Sequence, residues 1–398
     1  MRLALFTGTP HFPVQQHVGG PIVEAETRRR FHELADEAFD RNFLTNYGPL
    51  ALRLEEEVAR RHRVADAVFV ANATLAQMVL MKVMGLTSGE ALVSANTFIA
   101  TAHVCEWLGM RPVFCDIDPA TLNMCPGDAA RKITAETRAI IPTHVFGVIA
   151  DMPAFSGLAR RHGAALLADA AHAFDCDRGG VPPGGFGVPE FLSFHATKFF
   201  STIEGGAILT NDASLARELR EVRNFGFSSP GDAGKLGINI KSSEISAAFG
   251  LASLPAVEER RNRLKAVRDV YCAELSGVPG ISIHDLDGAG RNNYRYFAMF
   301  IDPETFGMDR DMVHNALLLE NVLARLYFHP GCHRMGYYRD RPGSGPLPVT
   351  DRTLARIISL PTSFPDLDEV EAARSVSGIL VELHRRAGDV VRHLRDKS

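Results

Sequence analysis

Short apolar segments and amphipathic segments alternate through the first half of the chain. The apolar segments are residues 67–70, 91–93, 112–114, 139–141, 165–167, 191–194 and 207–209. Segments with helical spacing separate most of them, including residues 75–84, 100–108 and 152–162. Strands that alternate with helices are typical of a mostly parallel sheet covered on both faces. The pattern therefore predicts an α/β domain with a seven-stranded sheet between helices.

The pattern changes in the last third of the chain. Apolar residues recur there at the spacing of one helical face: Val257, Leu264, Val267, Tyr271 and Leu275. Strand-like runs at 281–283 and 296–301 follow, and Asp366 is the expected cap of a final helix. We expect a large domain over residues 1–260, N-terminal segment included, and a smaller α+β domain over 261–398.

The composition excludes several classes of protein. A net charge of -4 argues against a nucleic-acid binder that relies on a basic surface. No apolar run approaches the roughly 20 residues that span a bilayer, so we expect no membrane segment. The six cysteines form no C-x-x-C pair, and polar residues interrupt the amino terminus too early for a signal-peptide core. We therefore expect a cytoplasmic protein with reduced thiols.

A single lysine, Lys198, lies in a turn between two apolar runs. Burial in such a turn disfavours the charged form, and a neutral amine can form a Schiff base with a carbonyl compound. The alternative is a surface lysine beside a hairpin. Two further side chains follow a buried strand, Asp169 and His172. A buried carboxylate requires a cation or donors, although a capping aspartate and a structural histidine would fit the pattern equally well.

Two more stretches follow strands of the predicted sheet. Ala73 and Thr74 stand at the start of a helix, where free backbone N–H groups can bind a phosphate; the alternative is a plain helix cap by Asn72 or Thr74. Phe98 can stack on a flat ring or simply belong to the core. An anion site, a stacking face, a carboxylate and an amine together are what pyridoxal 5'-phosphate needs. Together, the four features therefore predict a site for this cofactor.

At these residues the chain resembles the DegT/StrS family of nucleotide-sugar aminotransferases, which are fold-type-I pyridoxal-phosphate enzymes. The likeness extends from residue 46 to residue 361. The segments that carry it are residues 97–101, 112–118, 169–173, 193–198, 204–207, 237–241 and 244–248. The resemblance implies the type-I fold, with a large sheet domain and a smaller C-terminal domain.

The resemblance also assigns roles to the residues around the cofactor ring. Lys198 matches the lysine that binds the cofactor as a Schiff base and then moves the proton. Asp169 matches the carboxylate that pairs with the ring nitrogen, and Phe98 matches the stacking aromatic residue. His172 stands where the family has Gln or His beside the ring oxygen.

Other matched positions concern the phosphate and the neighbouring subunit. Ala73, Thr74 and Ser193 match phosphate ligands. Asn239 matches an asparagine that reaches the cofactor of a second subunit, which implies a homodimer with shared active sites. The family commonly has arginine where Lys241 stands, and lysine lacks the bidentate fork of arginine. Lys241 is therefore only a candidate substrate ligand.

The C-terminal stretch from Tyr327 to His333 resembles the family branch that acts at carbon 4 of dTDP-4-keto-6-deoxyglucose. His329 and His333 are candidate substrate ligands on that basis. A metal site formed by His329, Cys332 and His333 is the alternative, but no second ligand cluster at metal spacing accompanies them. We expect no metal.

The expected reaction is transfer of the amino group of L-glutamate to a nucleotide-linked keto-sugar, with dTDP-4-amino-4,6-dideoxyglucose as the product. Alternatives are transamination at carbon 3 or on a cyclitol, a pyridoxal-phosphate sugar dehydratase, and a regulator that binds the cofactor without turnover. The dehydratase branch has histidine where this chain has Lys198. The retained Lys198 and Asp169 favour an aminotransferase over a regulator.

Overall fold

The computed structural model describes residues 3–21, 23–229, 231–286, 290–364 and 366–395. Its central sheet contains the seven expected strands: β1 (Asp66–Val70), β2 (Glu90–Ser94), β3 (Arg111–Cys115), β4 (Thr137–Ile141), β5 (Ala165–Leu166 with Ala168–Asp169), β6 (Glu190–Ser193) and β7 (Gly206–Thr210). The expected fold class is confirmed.

The strand order across the sheet is β3-β2-β4-β5-β6-β7-β1. The first half of β5 pairs with β4 and the second half pairs with β6, so this strand joins two four-stranded ladders. All neighbours are parallel except at β7, which is antiparallel to both β6 and β1. The carboxyl ends of the parallel strands therefore meet along one edge of the sheet.

Helices cover the sheet and connect its strands. Those of eight or more residues are Ala25–Asp40, Pro49–His62, Ala73–Val83, Ala100–Trp107, Met152–His162, Ala213–Val222, Glu244–Ser253, Val257–Leu275, Arg310–Leu319, Glu369–Arg385 and Ala387–Arg395. Shorter helices are Ala4–Thr7, Pro126–Lys132, Pro303–Phe306 and Pro348–Leu354. Because β2, β4 and β5 have helices on both faces, their side chains are almost all buried. None of the helices within the described ranges is long and apolar enough to cross a membrane.

A second, antiparallel sheet lies in the C-terminal part of the chain. It consists of β8 (Ile281–Ile283), β9 (Phe297–Ile301) and β10 (Ile357–Leu360), in that order. The helices Val257–Leu275 and Glu369–Arg385 pack on each other beside it. Two pairs of short strands lie elsewhere, Gln16–His17 with Val322–Leu323 and Phe227–Ser229 with Asp232–Ala233.

The N-terminal segment lies against the C-terminal body and not only against the large sheet. Leu3 and Phe12 are buried in the same apolar cluster as Met299 and Ile379. The carboxylate of Glu320 accepts the backbone N–H of Ala4 at 2.5 Å. From the sequence we expect the N-terminal segment to belong to the large domain, because its residues show no periodicity that would indicate packing on the C-terminal body. The boundary near residue 260 stays a prediction.

One expected helix cap is wrong. Asp368, and not Asp366, caps the helix Glu369–Arg385, because its carboxylate accepts the N–H groups of Val370 and Glu371, both at 3.0 Å. Asp366 lies in the turn before the helix with a φ of 63°. Aspartate tolerates that left-handed conformation better than most residues do.

Candidate active site

A cavity of about 710 Å³ lies at the carboxyl edge of the large sheet. Seven of the residues predicted from the sequence line it: Ala73, Thr74, Phe98, Asp169, His172, Ser193 and Lys198. They come together because they follow or end β1, β2, β5 and β6, whose carboxyl ends share this edge. The individual roles of these residues stay predictions, whereas their common location is a property of the fold.

Lys198 stands in the connection between β6 and β7. A tight turn precedes it, in which the N–H of Lys198 donates to the carbonyl of His195 at 2.9 Å. Buried phenylalanines flank the turn, Phe194 before the lysine and Phe199 and Phe200 after it. These rings hold the backbone against the core, so the half-buried lysine side chain extends into the cavity.

Asp169 ends β5 and is only 5% exposed. Its carboxylate accepts the hydroxyl of Thr101 at 2.7 Å and the N–H of Ala171 at 2.9 Å. Among the described residues, no lysine or arginine forms an ion pair with it. Burial raises the pKa of this carboxyl, and its two donors offset the effect only in part. A cationic ring nitrogen in the cavity would supply the missing charge, so the site fits a pyridinium.

A row of buried threonine hydroxyls continues from Asp169. Thr143 donates to Thr97 at 3.0 Å, and the hydroxyls of Thr97 and Thr101 are 3.2 Å apart. Because each hydroxyl has one proton and the carboxylate can only accept, every bond in the row points toward Asp169. Aligned hydrogen bonds polarise one another in a medium of low dielectric. The row therefore stabilises negative charge on the carboxylate.

His172 follows Asp169 by three residues and lines the same cavity. Its Nδ1 accepts the backbone N–H of Phe146 at 3.3 Å, so in the neutral ring the proton is on Nε2. Burial, and then the charge of Lys198, lower the pKa of His172 well below its usual value, which keeps the ring neutral. The ring lies beside those of Phe146 and Phe328, with centre distances of 6.0 and 5.8 Å and nearly parallel planes. His172 can thus donate a hydrogen bond from Nε2 without carrying a charge.

The opposite end of the cavity provides anion-binding groups. The helix Ala73–Val83 begins there, and Asn72 caps it by accepting the N–H of Leu75 at 2.9 Å. The N–H groups of the first helical turn have no partner within the helix. Gly206 of β7 allows the close approach, since a Cβ at this position would lie 2.8 Å from the nitrogen of Ala73. With the nearby Ser193, this cradle fits a phosphate.

Four predicted residues lie outside the wall of this cavity. Asn239 and Lys241 belong to a surface segment in which Asn239 is exposed. Lys241 Nζ donates to Asn224 Oδ1 at 2.6 Å and lies 4.7 Å from the centre of the Phe225 ring. Within one chain, neither side chain reaches the cavity.

The other two are the histidines of the C-terminal stretch. His329 is exposed, and the buried His333 bonds through Nε2 to Oδ1 of Asp351 at 2.9 Å. Tyr327 and Phe328, which precede them, line the cavity instead. The thiol of Cys332, between the two histidines, donates to the carbonyl of Thr97 at 3.2 Å. The three side chains of the alternative metal site thus have separate surroundings.

Sequence reasoning missed several residues of the cavity. Thr101 stands at the start of the helix Ala100–Trp107, three residues after Phe98, so its place beside the carboxyl end of β2 was a usable signal. Tyr296 reaches Lys198, with 3.4 Å between its hydroxyl and Nζ. Nothing in the sequence marked Tyr296, because it stands at the start of an apolar run that reads as core.

The amine and the carboxylate that line one cavity, the phosphate cradle and the seven-stranded sheet define a fold-type-I pyridoxal-phosphate enzyme. The chain belongs to the DegT/DnrJ/EryC1/StrS aminotransferase family, whose model matches residues 25–380. The family confirms the expected enzyme class, an aminotransferase, and the expected cofactor, pyridoxal 5'-phosphate.

Several relatives carry informative names. The chain is 32% identical over 342 residues to a dTDP-4-amino-4,6-dideoxy-D-glucose transaminase of Escherichia coli, covering 85% of this chain and 91% of the relative. It is 37% identical over 290 residues to the enzyme of the same name from Shigella dysenteriae, covering 72% and 77%. The crystal structure of DesI in the presence of its TDP-sugar product superimposes with a TM-score of 0.93, at 39% identity, and covers 99% of both chains.

Proposed function

We propose that this protein transfers the amino group of L-glutamate to carbon 4 of dTDP-4-keto-6-deoxyglucose and so produces dTDP-4-amino-4,6-dideoxyglucose. The names of the Escherichia coli and Shigella dysenteriae relatives support the product. The TDP-sugar product present with DesI supports the nucleotide. The observation that carries the proposal is that Lys198 and the buried Asp169 line one cavity.

The described residues divide the work of binding the cofactor. Lys198 is its attachment point, and the start of the helix Ala73–Val83 with Ser193 holds its phosphate. When bound, pyridoxal 5'-phosphate serves as an electron sink for the carbon that loses a proton. Asp169 keeps the ring nitrogen protonated, because the low dielectric around the carboxylate strengthens that pair. His172 would donate its Nε2–H to the ring oxygen, and Phe98 would supply an aromatic face for the ring.

Lys198 also has the central role in the proton transfer. Once its amine is released, Nζ takes the proton from the α-carbon of L-glutamate and later returns a proton to carbon 4 of the sugar. A base must lie within hydrogen-bond reach of the proton that it removes. The turn that precedes Lys198 fixes the backbone at this position. The flexible side chain can therefore move while its Cα stays in place.

We also propose a homodimer with shared active sites. Asn239 and Lys241 do not reach the cavity of their own chain, and exposed apolar side chains accompany them. Phe225, Leu236 and Ile238 are 48%, 78% and 43% exposed. An apolar patch around polar residues is typical of an interface. The dimer would bring Asn239 to the cofactor phosphate and Lys241 to the donor or substrate of the second subunit.

The cytoplasm is the proposed compartment. The six cysteines are all free, and four of them are buried. Burial raises the pKa of the thiols of Cys105 and Cys332, to about 12 in each case, which keeps them in the protonated, unreactive form. Unpaired thiols of this kind are typical of a reducing environment.

Incubation of the protein with L-glutamate and dTDP-4-keto-6-deoxyglucose tests the proposal, with the product identified by mass spectrometry and NMR. We expect an equatorial amino group at carbon 4, as the gluco configuration requires, and one equivalent of 2-oxoglutarate. Lys198→Ala should lose both amino transfer and the visible absorption of the bound cofactor. The matched control is Lys82→Ala, since Lys82 is exposed on the helix Ala73–Val83. Amino transfer by Lys198→Ala, or a product aminated at another carbon, would contradict the proposal.

A further inference from the structure

The hydroxyl of Tyr296 lies 3.4 Å from Nζ of Lys198. Tyr296 is 4% exposed and stands directly before β9, whereas Lys198 stands in the connection between β6 and β7. We propose that Tyr296 is a catalytic residue, which holds the released amine of Lys198 in the position from which it moves the proton. This inference rests on the proposed function, because it presumes that Lys198 is the base.

Two neighbours of Tyr296 fix its backbone to the segments that carry Lys198 and His172. The guanidinium of the buried Arg295 donates from Nε to the carbonyl of Thr197 at 3.0 Å. Nδ2 of Asn293 donates to the carbonyl of His172 at 2.9 Å. The segment that contains Tyr296 is thus bonded to the residue before the lysine and to the histidine itself. Its placement beside Lys198 follows from these bonds and not from the flexible stem of the lysine.

Aromatic contacts fix the ring of Tyr296. Its centre is 4.3 Å from that of His172, 5.3 Å from that of Phe146 and 6.2 Å from that of Tyr327. A ring enclosed on these sides has little rotational freedom, so its hydroxyl occupies a defined point in the cavity wall. A fixed polar group of this kind can act as a positioned partner for a mobile one.

The chemistry of a phenol suits both states of the lysine. A tyrosine hydroxyl accepts a hydrogen bond from an ammonium group and donates one to the lone pair of a neutral amine. When Nζ takes the proton of L-glutamate, the Cα–H bond breaks and an N–H bond forms on Lys198. Tyr296 then changes from donor to acceptor by rotation of its O–H bond. No proton leaves Tyr296, so the group stays in contact with Nζ throughout.

Tyr296→Phe tests the inference, because it removes only the hydroxyl. We expect kcat with L-glutamate to fall by about 10- to 100-fold, near the lower end of the contribution of acid–base groups, while KM changes less than about twofold. The primary isotope effect with α-deuterated L-glutamate should rise, since proton transfer becomes the slower step. In protein freed of cofactor, formaldehyde and borohydride should methylate Lys198 at least about twofold faster, because the amine has lost a hydrogen-bond partner.

Tyr338→Phe is the matched control. Tyr338 is 1% exposed, and its hydroxyl has no partner among the described residues. Its ring packs on Phe114, outside the cavity. If Tyr296→Phe matches Tyr338→Phe in kcat, isotope effect and methylation rate, Tyr296 is only a packing residue and the inference is wrong. Amino transfer by Lys198→Ala would instead overturn the proposed function, so the two failures are distinguishable.

Discussion

The two sides of the cavity come from different parts of the chain and have different chemistry. The cofactor side is formed by strand ends of one sheet, and its groups are hydroxyls, N–H groups, a carboxylate and an amine. The substrate side has aromatic rings from segments after the sheet, namely Tyr296, Tyr327 and Phe328. We infer that the strand ends and Tyr296 serve the reaction, whereas the other later segments and the proposed second subunit decide which sugar is accepted.

The first and largest expected effect concerns the cofactor side. Asp169→Asn keeps the side-chain size but removes the charge that we propose to pair with the ring nitrogen. We expect kcat to fall by about 10³-fold, since buried, preorganised charges make the largest contributions to catalysis. The dissociation constant of the cofactor should rise as well, and equilibrium dialysis measures it.

The matched control is Asp128→Asn, which changes a buried aspartate outside the cavity. Asp128 pairs with Lys132 at 2.9 Å and accepts the N–H of Asp116 at 2.6 Å. This variant should lose stability but retain kcat within about twofold. Equal losses of kcat in both variants would mean that Asp169→Asn lowers kcat only because it destabilises the fold.

A mixing experiment tests whether the active site includes a residue of a second subunit. Lys198→Ala and Asn239→Ala should each be nearly inactive alone. If the two variants are mixed in equal amounts and exchange subunits, half of the dimers contain one subunit of each variant. In such a mixed dimer, one of the two active sites has both the native Lys198 and the native Asn239. We expect about a quarter of the wild-type activity to return. An inactive mixture in which mixed dimers form would show that Asn239 serves the site of its own chain.

Much of the cofactor side was predictable because it depends on local sequence. A residue that ends a buried strand must lie at the edge of the sheet, so Asp169 and Ser193 could be placed from their positions in the chain alone. The same logic placed Lys198 between two strands. The periodicity of apolar residues predicted the strands themselves, and each was found within two residues of its expected bounds.

The substrate side was not predictable for a physical reason. Tyr296 reaches the cavity through long-range bonds, including that of Arg295 to Thr197, and sequence spacing carries no record of such contacts. His329 and His333 were expected near the substrate because of a motif, but neither lines the cavity, although His329 directly follows Phe328. A loop that lacks periodicity does not reveal which of its residues face a cavity.

Acid should destabilise the two bodies of the molecule through different histidines. Burial lowers the pKa of His62, in the large domain, and of His284, before β9, to about 4 in each case. Both are neutral when folded, so below about pH 6.5 the unfolded chain binds more protons than the folded one. Each contribution is therefore complete above that pH and is lost as the pH falls toward 4. At pH 5 the expected loss is about 2 kcal/mol for each histidine.

Urea unfolding at pH 7 and pH 5 measures this loss in the wild type, His62→Gln and His284→Gln. Each substitution should reduce the difference between the two pH values, because glutamine does not titrate. A difference unchanged by both substitutions would assign the acid sensitivity to other groups. If only one substitution reduces it, one body of the molecule determines acid stability.

Loss of a hydroxyl from the threonine row on the cofactor side should lower kcat less as the distance of that hydroxyl from Asp169 increases. Thr101→Val removes the donor that contacts Asp169, and we expect kcat to fall by about tenfold, the effect of one hydrogen bond to a charged group. Thr143 lies two hydrogen bonds further from Asp169, so Thr143→Val should lower kcat by about two- to threefold. Steady-state kinetics and the pH dependence of the visible absorption give both values. Equal effects at the two positions would show that packing, and not polarisation, is what the row provides.

The smallest effect is expected at the two histidines outside the cavity. His333→Gln removes the bond to Asp351 and should lower the free energy of unfolding by about 1 kcal/mol. His329→Gln changes an exposed side chain and should cost less than about 0.5 kcal/mol. Neither should change KM for the nucleotide sugar by more than about twofold, since Tyr327 and Phe328 and not the histidines line the wall. A tenfold rise in KM for either variant would mean that the substrate contacts residues outside the cavity of one chain. The substrate-binding surface would then extend toward the surface that carries Asn239 and Lys241.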